Sequence, residues 1–375
     1  MPKVSVAMIA RNAQDTIDAA LKSIYGYVDE IVIVDTGSTD ETLYRARIYA
    51  DMVYERAWPD SFAAARQTAF DLTTGDWIMH LDADDIVEGA DQIRTVLSNV
   101  PDWCDCIYWQ YVTAVDQHGN VTNLNWRERC VKRGTHFWKG RAHEVLVSPN
   151  GSKLIRESSV VIHHQQIERD HRAHIERNIR LLRLQLAEEP VEDSRVLFYL
   201  GRDLQSIGQL DEAQHFLERY LAVATWDQEK YFALLLLGYI HRMHKEYDRA
   251  METDLQAGKL LPMWPLAWFA AAEDAYFEED WQQVIMLSRI GQALPAPETQ
   301  LFAGPRALEY DWMIFYAVAL AKTGQTAEAL EVTRRALAVV PDDPYHLQNL
   351  RTLEGLTNGA GGVIAARSSA PLTPS

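Results

Sequence analysis

Near residue 165 the sequence changes its pattern, and no other feature constrains the fold as strongly. Before that point short β-branched runs alternate with helical stretches: Val4 to Ile9, an amphipathic segment from Asp15 to Tyr25, Ile31 to Val34, then Asp40 to Ala50. This alternation favours a parallel sheet flanked by helices. Further strands are expected at Met52 to Glu55, Trp77 to Leu81, Cys106 to Val115 and Ser158 to His164, with a helix over Phe62 to Leu72. A nucleotide-sized crevice is expected where such a sheet ends. From about residue 168 to residue 356 the strand signals stop and the pattern is helical. The expected division is an α/β domain over 1–165, an all-α domain over 168–356 and a mobile tail over 357–375. The small residues and two prolines of that tail bury too little surface to offset ordering entropy.

The helical half repeats weakly. A small residue, a bulkier one nine later and a small one twelve later recur as Gly201, Leu210 and Ala213; Gly238, Tyr247 and Ala250; Ala272, Trp281 and Val284; and, less well at its middle position, Ala317, Thr326 and Ala329. Each unit resembles a tetratricopeptide repeat, helix, short turn, helix, and four of them should stack into a short solenoid because each leaves an apolar face for its neighbour. Trp264, Trp268, Tyr276, Trp281, Trp312 and Tyr316 are expected in its core, with an acceptor-binding concave face as the alternative.

Composition narrows the function. The formal charge of −17, from 36 Lys and Arg against 53 Asp and Glu, opposes extended phosphate polymers, so nucleic acid is disfavoured. No run approaches a bilayer-spanning length, and Met1 to Val6 enters a strand directly with no signal-peptide pattern, so a cytoplasmic protein is expected. Cys104, Cys106 and Cys130 are too few for a disulfide framework and read as reduced packing residues.

The most informative stretch is Trp77-Ile78-Met79-His80-Leu81-Asp82-Ala83-Asp84-Asp85, an apolar strand ending in three carboxylates. Such a cluster is self-repelling unless a cation sits within it, and hard oxygen ligands suit Mg²⁺ or Mn²⁺. The plainer alternative places Asp84 and Asp85 at a solvated helix N-terminus.

The stretch resembles the D-x-D motif of GT-A glycosyltransferases, and its surroundings extend the likeness. Ile31-Val32-Ile33-Val34-Asp35-Thr36-Gly37-Ser38-Thr39-Asp40 resembles the V-D-D-G-S-T-D signature of family 2 glycosyltransferases, with Thr36 where family members commonly carry a second acid. Val4 to Asn12 is similar to the family's opening strand and the Asn that follows it. Phe62-Ala63-Ala64-Ala65-Arg66-Gln67-Thr68-Ala69 and Thr74-Gly75-Asp76-Trp77 resemble the A-A-R-N-x-A and G-D-W pattern of one bacterial branch. The resemblance implies an α/β GT-A (Rossmann-like) nucleotide-sugar-binding domain followed by the tetratricopeptide-like solenoid. It also implies a UDP- or GDP-linked sugar donor and Mn²⁺ or Mg²⁺ as cofactor.

Donor-binding residues implied by the resemblance are Ala10, Asn12, Asp35, Thr36, Gly37, Arg66, Asp82, Ala83, Arg129, Trp138 and His143. Asp35 and Thr36 would meet the base and ribose, while Gly37 lets the backbone turn close to the ligand. Arg66 is a partner for donor phosphate or for the acidic cluster. Asp82 would face the ribose or sugar, and Asp84 would hold the metal against the diphosphate.

Residues 126–156 carry eight Lys or Arg against two acids, a local reversal of sign expected to lie near a diphosphate. Within it Trp138-Lys139-Gly140-Arg141-Ala142-His143-Glu144 resembles the acceptor-side segment of the same branch, where the acid after His is the general base. Glu144 is therefore the candidate base, and one base opposite a metal-held leaving group implies inversion. The alternative is a structural Arg141 to Glu144 ion pair. Family likeness also points to a late-strand His completing the metal shell, which makes Asp82, Asp84 and one of His163 and His164 the candidate ligands. Neighbouring residues on a strand face opposite ways, so the choice between the two stays open. A four-His zinc site including His171 and His174 has no recognised spacing.

The expected activity is a single transfer from a nucleotide sugar to a peptide, protein or glycan acceptor, with the repeats as a binding surface for an extended partner. A cell-surface glycan or a modified DNA base is an alternative acceptor. An inactive repeat scaffold and a nucleotide-sugar sensor are the rival readings, and an oligomer is possible.

Overall fold

The computed structural model describes residues 1–115, 121–165, 171–188, 193–297 and 305–357. The chain divides into two compact units, Met1–Glu188 and Glu189–Ser375.

The first unit opens with β1 (Val4–Ala10), α1 (Ile17–Ile24), β2 (Glu30–Asp35), α2 (Thr42–Tyr49), β3 (Met52–Glu55), α3 (Phe62–Asp71) and β4 (Trp77–His80), close to the expected bounds. It continues with β5 (Asp85–Glu88), α4 (Ile93–Asn99), β6 (Cys106–Val115), β7 (Val121–Lys132), β8 (Phe137–Lys139), β9 (Val145–Val147), β10 (Leu154–His164) and α5 (His171–Glu188). Eight strands form one sheet in the order β3-β2-β1-β4-β7-β6-β10-β5. The parallel sheet expected from the alternation forms over the first four strands and becomes mixed beyond them. Strands β3, β2, β1 and β4 run parallel, but β7 enters antiparallel between β4 and β6, and β5 is antiparallel to β10. Strands β8 and β9 make a separate antiparallel pair.

Alternation along the central strands divides the core into two layers. Val6, Met8, Ile33 and Met79 pack against Ile17, Leu21 and Ile24 of α1 and Ile93 of α4. Ala7, Val34, Ile78 and Val131 face the other way, onto Ala63, Ala69 and Phe70 of α3 and onto Trp138 and Leu146. All three cysteines are buried and unpaired. Helix α5, expected in the helical half, belongs to the first unit: its Arg180 meets Asp60 at 2.6 Å and its Glu188 meets Arg141 at 2.5 Å.

The second unit consists of helical pairs: α6 (Ser194–Ser206) with α7 (Leu210–Val223), α8 (Asp227–Met243) with α9 (Tyr247–Leu260), and α10 (Leu266–Phe277) with α11 (Trp281–Gln292). A short α12 (Pro305–Glu309) precedes the pair α13 (Met313–Lys322) and α14 (Thr326–Val339), and α15 (Pro344–Thr357) follows. Each middle residue of the sequence repeat begins the second helix of a pair, and Ala213, Ala250, Val284 and Ala329 are fully buried. A further periodic position emerges seven residues after each leading one: Gly208, Lys245, Glu279 and Gly324 all have positive φ, between 59° and 82°. The next amide donates to a carbonyl five residues back in every pair, from Gln209 to Leu204, Glu246 to His241, Asp280 to Ala275 and Gln325 to Leu320. That bond closes each first helix with a Schellman-type turn. Tyr276, Trp312 and Tyr316 are buried with Trp268 and Trp281 packed partly buried on the same core, and Trp264 packs on a second one around Tyr231.

One buried charge cluster joins three helices of this unit. Arg242 lies 2.6 Å from Asp274, 2.8 Å from Asp254 and 3.3 Å from Glu273, all four residues being at most 8% exposed. Among the described residues no helix is long and apolar enough to cross a membrane. The expected tail lies outside the described residues except for Thr357, which ends α15.

Candidate active site

Strands β1, β2 and β4 run parallel, so the loops at their carboxyl ends gather at one edge. Ala10 and Asp35 are register partners, and the Thr36 amide and hydroxyl both donate to the Ala10 carbonyl, at 2.9 and 3.2 Å. Asn12, in the left-handed region at φ 47°, donates its amide to Ser38 and accepts from the Thr39 amide, each at 2.9 Å. These bonds tie the two loops together. Asp35 is 2% exposed; its Oδ1 accepts from the Gly37 and Ser38 amides at 2.9 Å, and its Oδ2 is buried with no hydrogen-bond partner. Gly37 at φ +104° makes that turn, a conformation side chains disfavour. The outcome is one buried carboxylate oxygen fixed at a strand end with no hydrogen-bond partner of its own.

After β4 the chain turns tightly, the Asp85 amide donating to the Asp82 carbonyl at 3.0 Å. Asp84 and Asp85 are buried, which excludes the solvated helix start considered from sequence; Asp85 instead opens β5. The antiparallel register of β5 and β10 sets Asp85 opposite His164. Asp84, Asp85 and His164 offer ligand atoms that all lie within 4.8 Å of one another, with His164 Nδ1 at 3.2 Å from Asp85 and 3.7 Å from Asp84. Two hard carboxylates and an imidazole suit Mn²⁺ or Mg²⁺, so the donor set fits such an ion. The hydrogen bond to Asp85 is the main cause that raises the His164 pKa. His163 faces the other way and meets Glu88 at 2.8 Å, and Asp82 is engaged elsewhere. Of the four candidate ligands named from sequence, Asp84 and His164 come together; Asp85 is the addition.

Asp85 has a second tie. Arg129, 3% exposed, lies 3.2 Å from it, covers the Tyr111 ring at 4.0 Å and points Nη1 toward His80 Nδ1 at 3.4 Å. Burial, followed by the nearby Arg129 and Arg66, holds the His80 pKa well below the usual imidazole value, so the ring is neutral.

Arg66 of α3 connects the acidic turn to the expected base. Its Nη1 lies 2.7 Å from Asp82 Oδ1, its Nε donates to Glu144 Oε1 at 2.7 Å, and its guanidinium stacks 5.1 Å from the Trp138 ring. Burial alone would raise the Asp82 pKa, but Arg66 and then Arg129 outweigh it and hold that carboxyl far below the usual range. The Arg141 to Glu144 ion pair considered as the alternative does not form; Arg141 goes to Glu188 and to the Asp60 carbonyl. His143 precedes Glu144 with φ 50°, and Ala83 sits buried inside the acidic turn.

The basic stretch is not one patch beside the acidic turn. Arg129 pairs with that turn through Asp85. Lys132 is register partner of Trp77, at the start of β4, the Arg133 amide bonds to Asp76, and Lys153 bonds to Asp105 at the start of β6. These three stand at the opposite end of the sheet from Asp82. A strand running antiparallel to β4 carries its charges away from the site, so summing along sequence overstated the local field.

Residues 5–160 match the sequence profile of Glycosyl transferase family 2. A TPR repeat-containing protein of Synechococcus elongatus is 28% identical over 67% of this chain and 65% of its own length. The SPbeta prophage-derived glycosyltransferase SunS of Bacillus subtilis is 23% identical over 68% of this chain and 65% of its own. The chain thus spans a little under two thirds of each of these relatives. Among solved structures, that of S. aureus TarS 1-349 covers 75% of this chain and 92% of its own at 14% identity and a TM-score of 0.36.

Proposed function

The chain carries a family 2 glycosyltransferase domain over residues 5–160, and from that premise we propose that it transfers a sugar, with inversion, from a UDP- or GDP-linked donor to a peptide, protein or glycan acceptor. The observation that carries the proposal is the convergence of five carboxylates at one sheet edge in three distinct environments. Asp35 keeps one buried oxygen unpaired, Asp82 and Glu144 share Arg66, and Asp84 and Asp85 meet His164.

In this reading Asp35 Oδ2 accepts from the nucleotide base. Asp82, fixed as a carboxylate by Arg66, faces the ribose or sugar. Asp84 and His164, with Asp85, would hold Mn²⁺ or Mg²⁺, which when bound neutralises charge on the departing diphosphate. Glu144 takes the proton of the acceptor nucleophile as that atom bonds to the anomeric carbon and the bond to the diphosphate oxygen breaks, the electron pair leaving with the nucleoside diphosphate. The helical pairs of the second unit would bind the acceptor, as repeat solenoids bind extended partners.

The test is incubation of the full chain with a mixed pool of UDP- and GDP-sugars, Mn²⁺ and candidate peptide and glycan acceptors, followed by mass spectrometry of the acceptors. A mass gain of one sugar, with stoichiometric nucleoside diphosphate, is expected. Donor binding without turnover would instead indicate a sensor, and partner capture with no donor binding a scaffold; either contradicts the proposal.

A further inference from the structure

The turn that carries Glu144 is not self-supporting. Gly140 at φ +100° and His143 at φ +50° bracket it, and a left-handed residue other than glycine, such as His143, persists only where its surroundings impose it. Two ties come from α3, whose Phe62 and Ala63 amides donate to the Arg141 and Gly140 carbonyls at 2.9 and 3.3 Å. A third comes from α5: the Arg141 amide donates to Gln185 Oε1 at 2.8 Å. Gln185 is 6% exposed, so water does not replace this bond easily. A Cβ built on Gly140 would stand 3.5 Å from Glu144 Cα and 3.9 Å from Gln185 Oε1, which shows how closely helix, turn and base are packed. The Arg141 side chain adds bonds to the Asp60 carbonyl at 2.8 Å and to Glu188 at 2.5 Å, the latter pair open to solvent.

We propose that Gln185 is a positioning residue for Glu144: by accepting from the Arg141 amide it fixes the turn that aims the base. The inference rests on Glu144 being the base. It adds a residue outside the expected α/β segment, on a helix that the sequence assigned to the helical half. Gln185 acts on Glu144 through the Arg141 amide, so its loss should misaim the base and leave donor binding intact.

The experiment compares full-length wild type, Gln185→Leu and Gln185→Glu, using a donor and acceptor pair that wild type turns over. Gln185→Leu keeps the bulk and removes the accepting oxygen; its kcat should fall roughly 10- to 100-fold, the cost expected of a small misplacement, with the donor KM unchanged. Gln185→Glu keeps the oxygen and should recover most of the rate. Hydrogen exchange at the amides of residues 140–144 should quicken in the Leu variant alone. Should that variant not fold, Gln185→Asn withdraws the oxygen on a shorter arm and gives the same readouts. Wild-type kcat and wild-type exchange in the Leu or Asn variant would overturn the proposal, as would parallel loss of rate, donor binding and Tm. Absence of transfer by wild type would contradict the proposed function instead, and the exchange rates would still decide whether Gln185 holds the turn.

Discussion

Arg66 Nε lies 2.7 Å from Glu144 Oε1, both side chains no more than 13% exposed, while the same guanidinium reaches Asp82 at 2.7 Å. A fork of fixed N–H groups can hold two carboxylates from different segments; an ammonium cannot hold them in the same geometry. Arg66→Lys should therefore reduce transfer by about 100-fold through misplacement of Glu144. Arg66→Ala leaves two carboxylates poorly exposed and unpaired, and should destabilise the first unit by ~3–5 kcal/mol in chemical denaturation. A Lys variant with wild-type initial rates would show that the bridge has no part in transfer.

Asp35→Asn tests base recognition. The Asn oxygen can keep the bonds to the Gly37 and Ser38 amides, which puts an NH₂ where the unpaired Oδ2 now lies. Donor affinity by calorimetry should drop by about tenfold or more, the value of one lost hydrogen bond to a charged acceptor. The Tm should stay near that of wild type.

The two adjacent histidines should separate in metal binding. His164 faces Asp84 and Asp85 and His163 faces Glu88, so His164→Ala should weaken Mn²⁺ binding in a titration and His163→Ala should leave it unchanged. Chelation should abolish transfer, and added Mn²⁺ should restore it. Equal effects of the two variants would remove His164 from the ligand set.

The charge cluster of the second unit predicts a pH dependence of stability. Burial, and then the adjacent Asp274, keeps Asp254 protonated well above the usual carboxylate range; burial lifts Asp274 to about 6 against the pull of Arg242. Both values lie above the ordinary 3.8, so the folded state binds more protons than the unfolded one. The resulting stabilisation is complete below that ordinary value and is lost as pH rises through the folded-state values. Thermal unfolding from pH 5 to pH 8 should show this decline in wild type. Asp254→Asn, which imitates the protonated form, should flatten it, and an identical slope in both would contradict the assignment.

Much of this site can be read from sequence because its residues follow apolar strands directly. Asp35 ends β2 and Asp82 closely follows β4, so locating those strands located the site. What could not be read depended on pairing between distant segments. The choice between His163 and His164, and the entry of Asp85, follow from the β5 to β10 register, which no local pattern encodes. Strand β7 was hidden by its polar content, Asn123, Asn125, Arg127 and Glu128 interrupting the apolar signal, and with it the antiparallel turn that buries Arg129 and carries Lys132 away. In the helical half the small-residue spacing found the pairs. The left-handed turn position escaped notice because Lys245 and Glu279 occupy it in two of four repeats where Gly208 and Gly324 would have signalled it.

The division of labour between metal-holding and proton-accepting carboxylates is tested by two measurements on Asp84→Ala and Glu144→Gln: donor affinity in the presence of Mn²⁺, and single-turnover transfer to the acceptor. Asp84→Ala should lose both, because the residue that would hold the metal at the diphosphate is gone. Glu144→Gln should bind donor like wild type and fail to transfer, because only the proton acceptor has been removed. Full transfer by Glu144→Gln, or donor binding and transfer undiminished in Asp84→Ala, would contradict that division of labour.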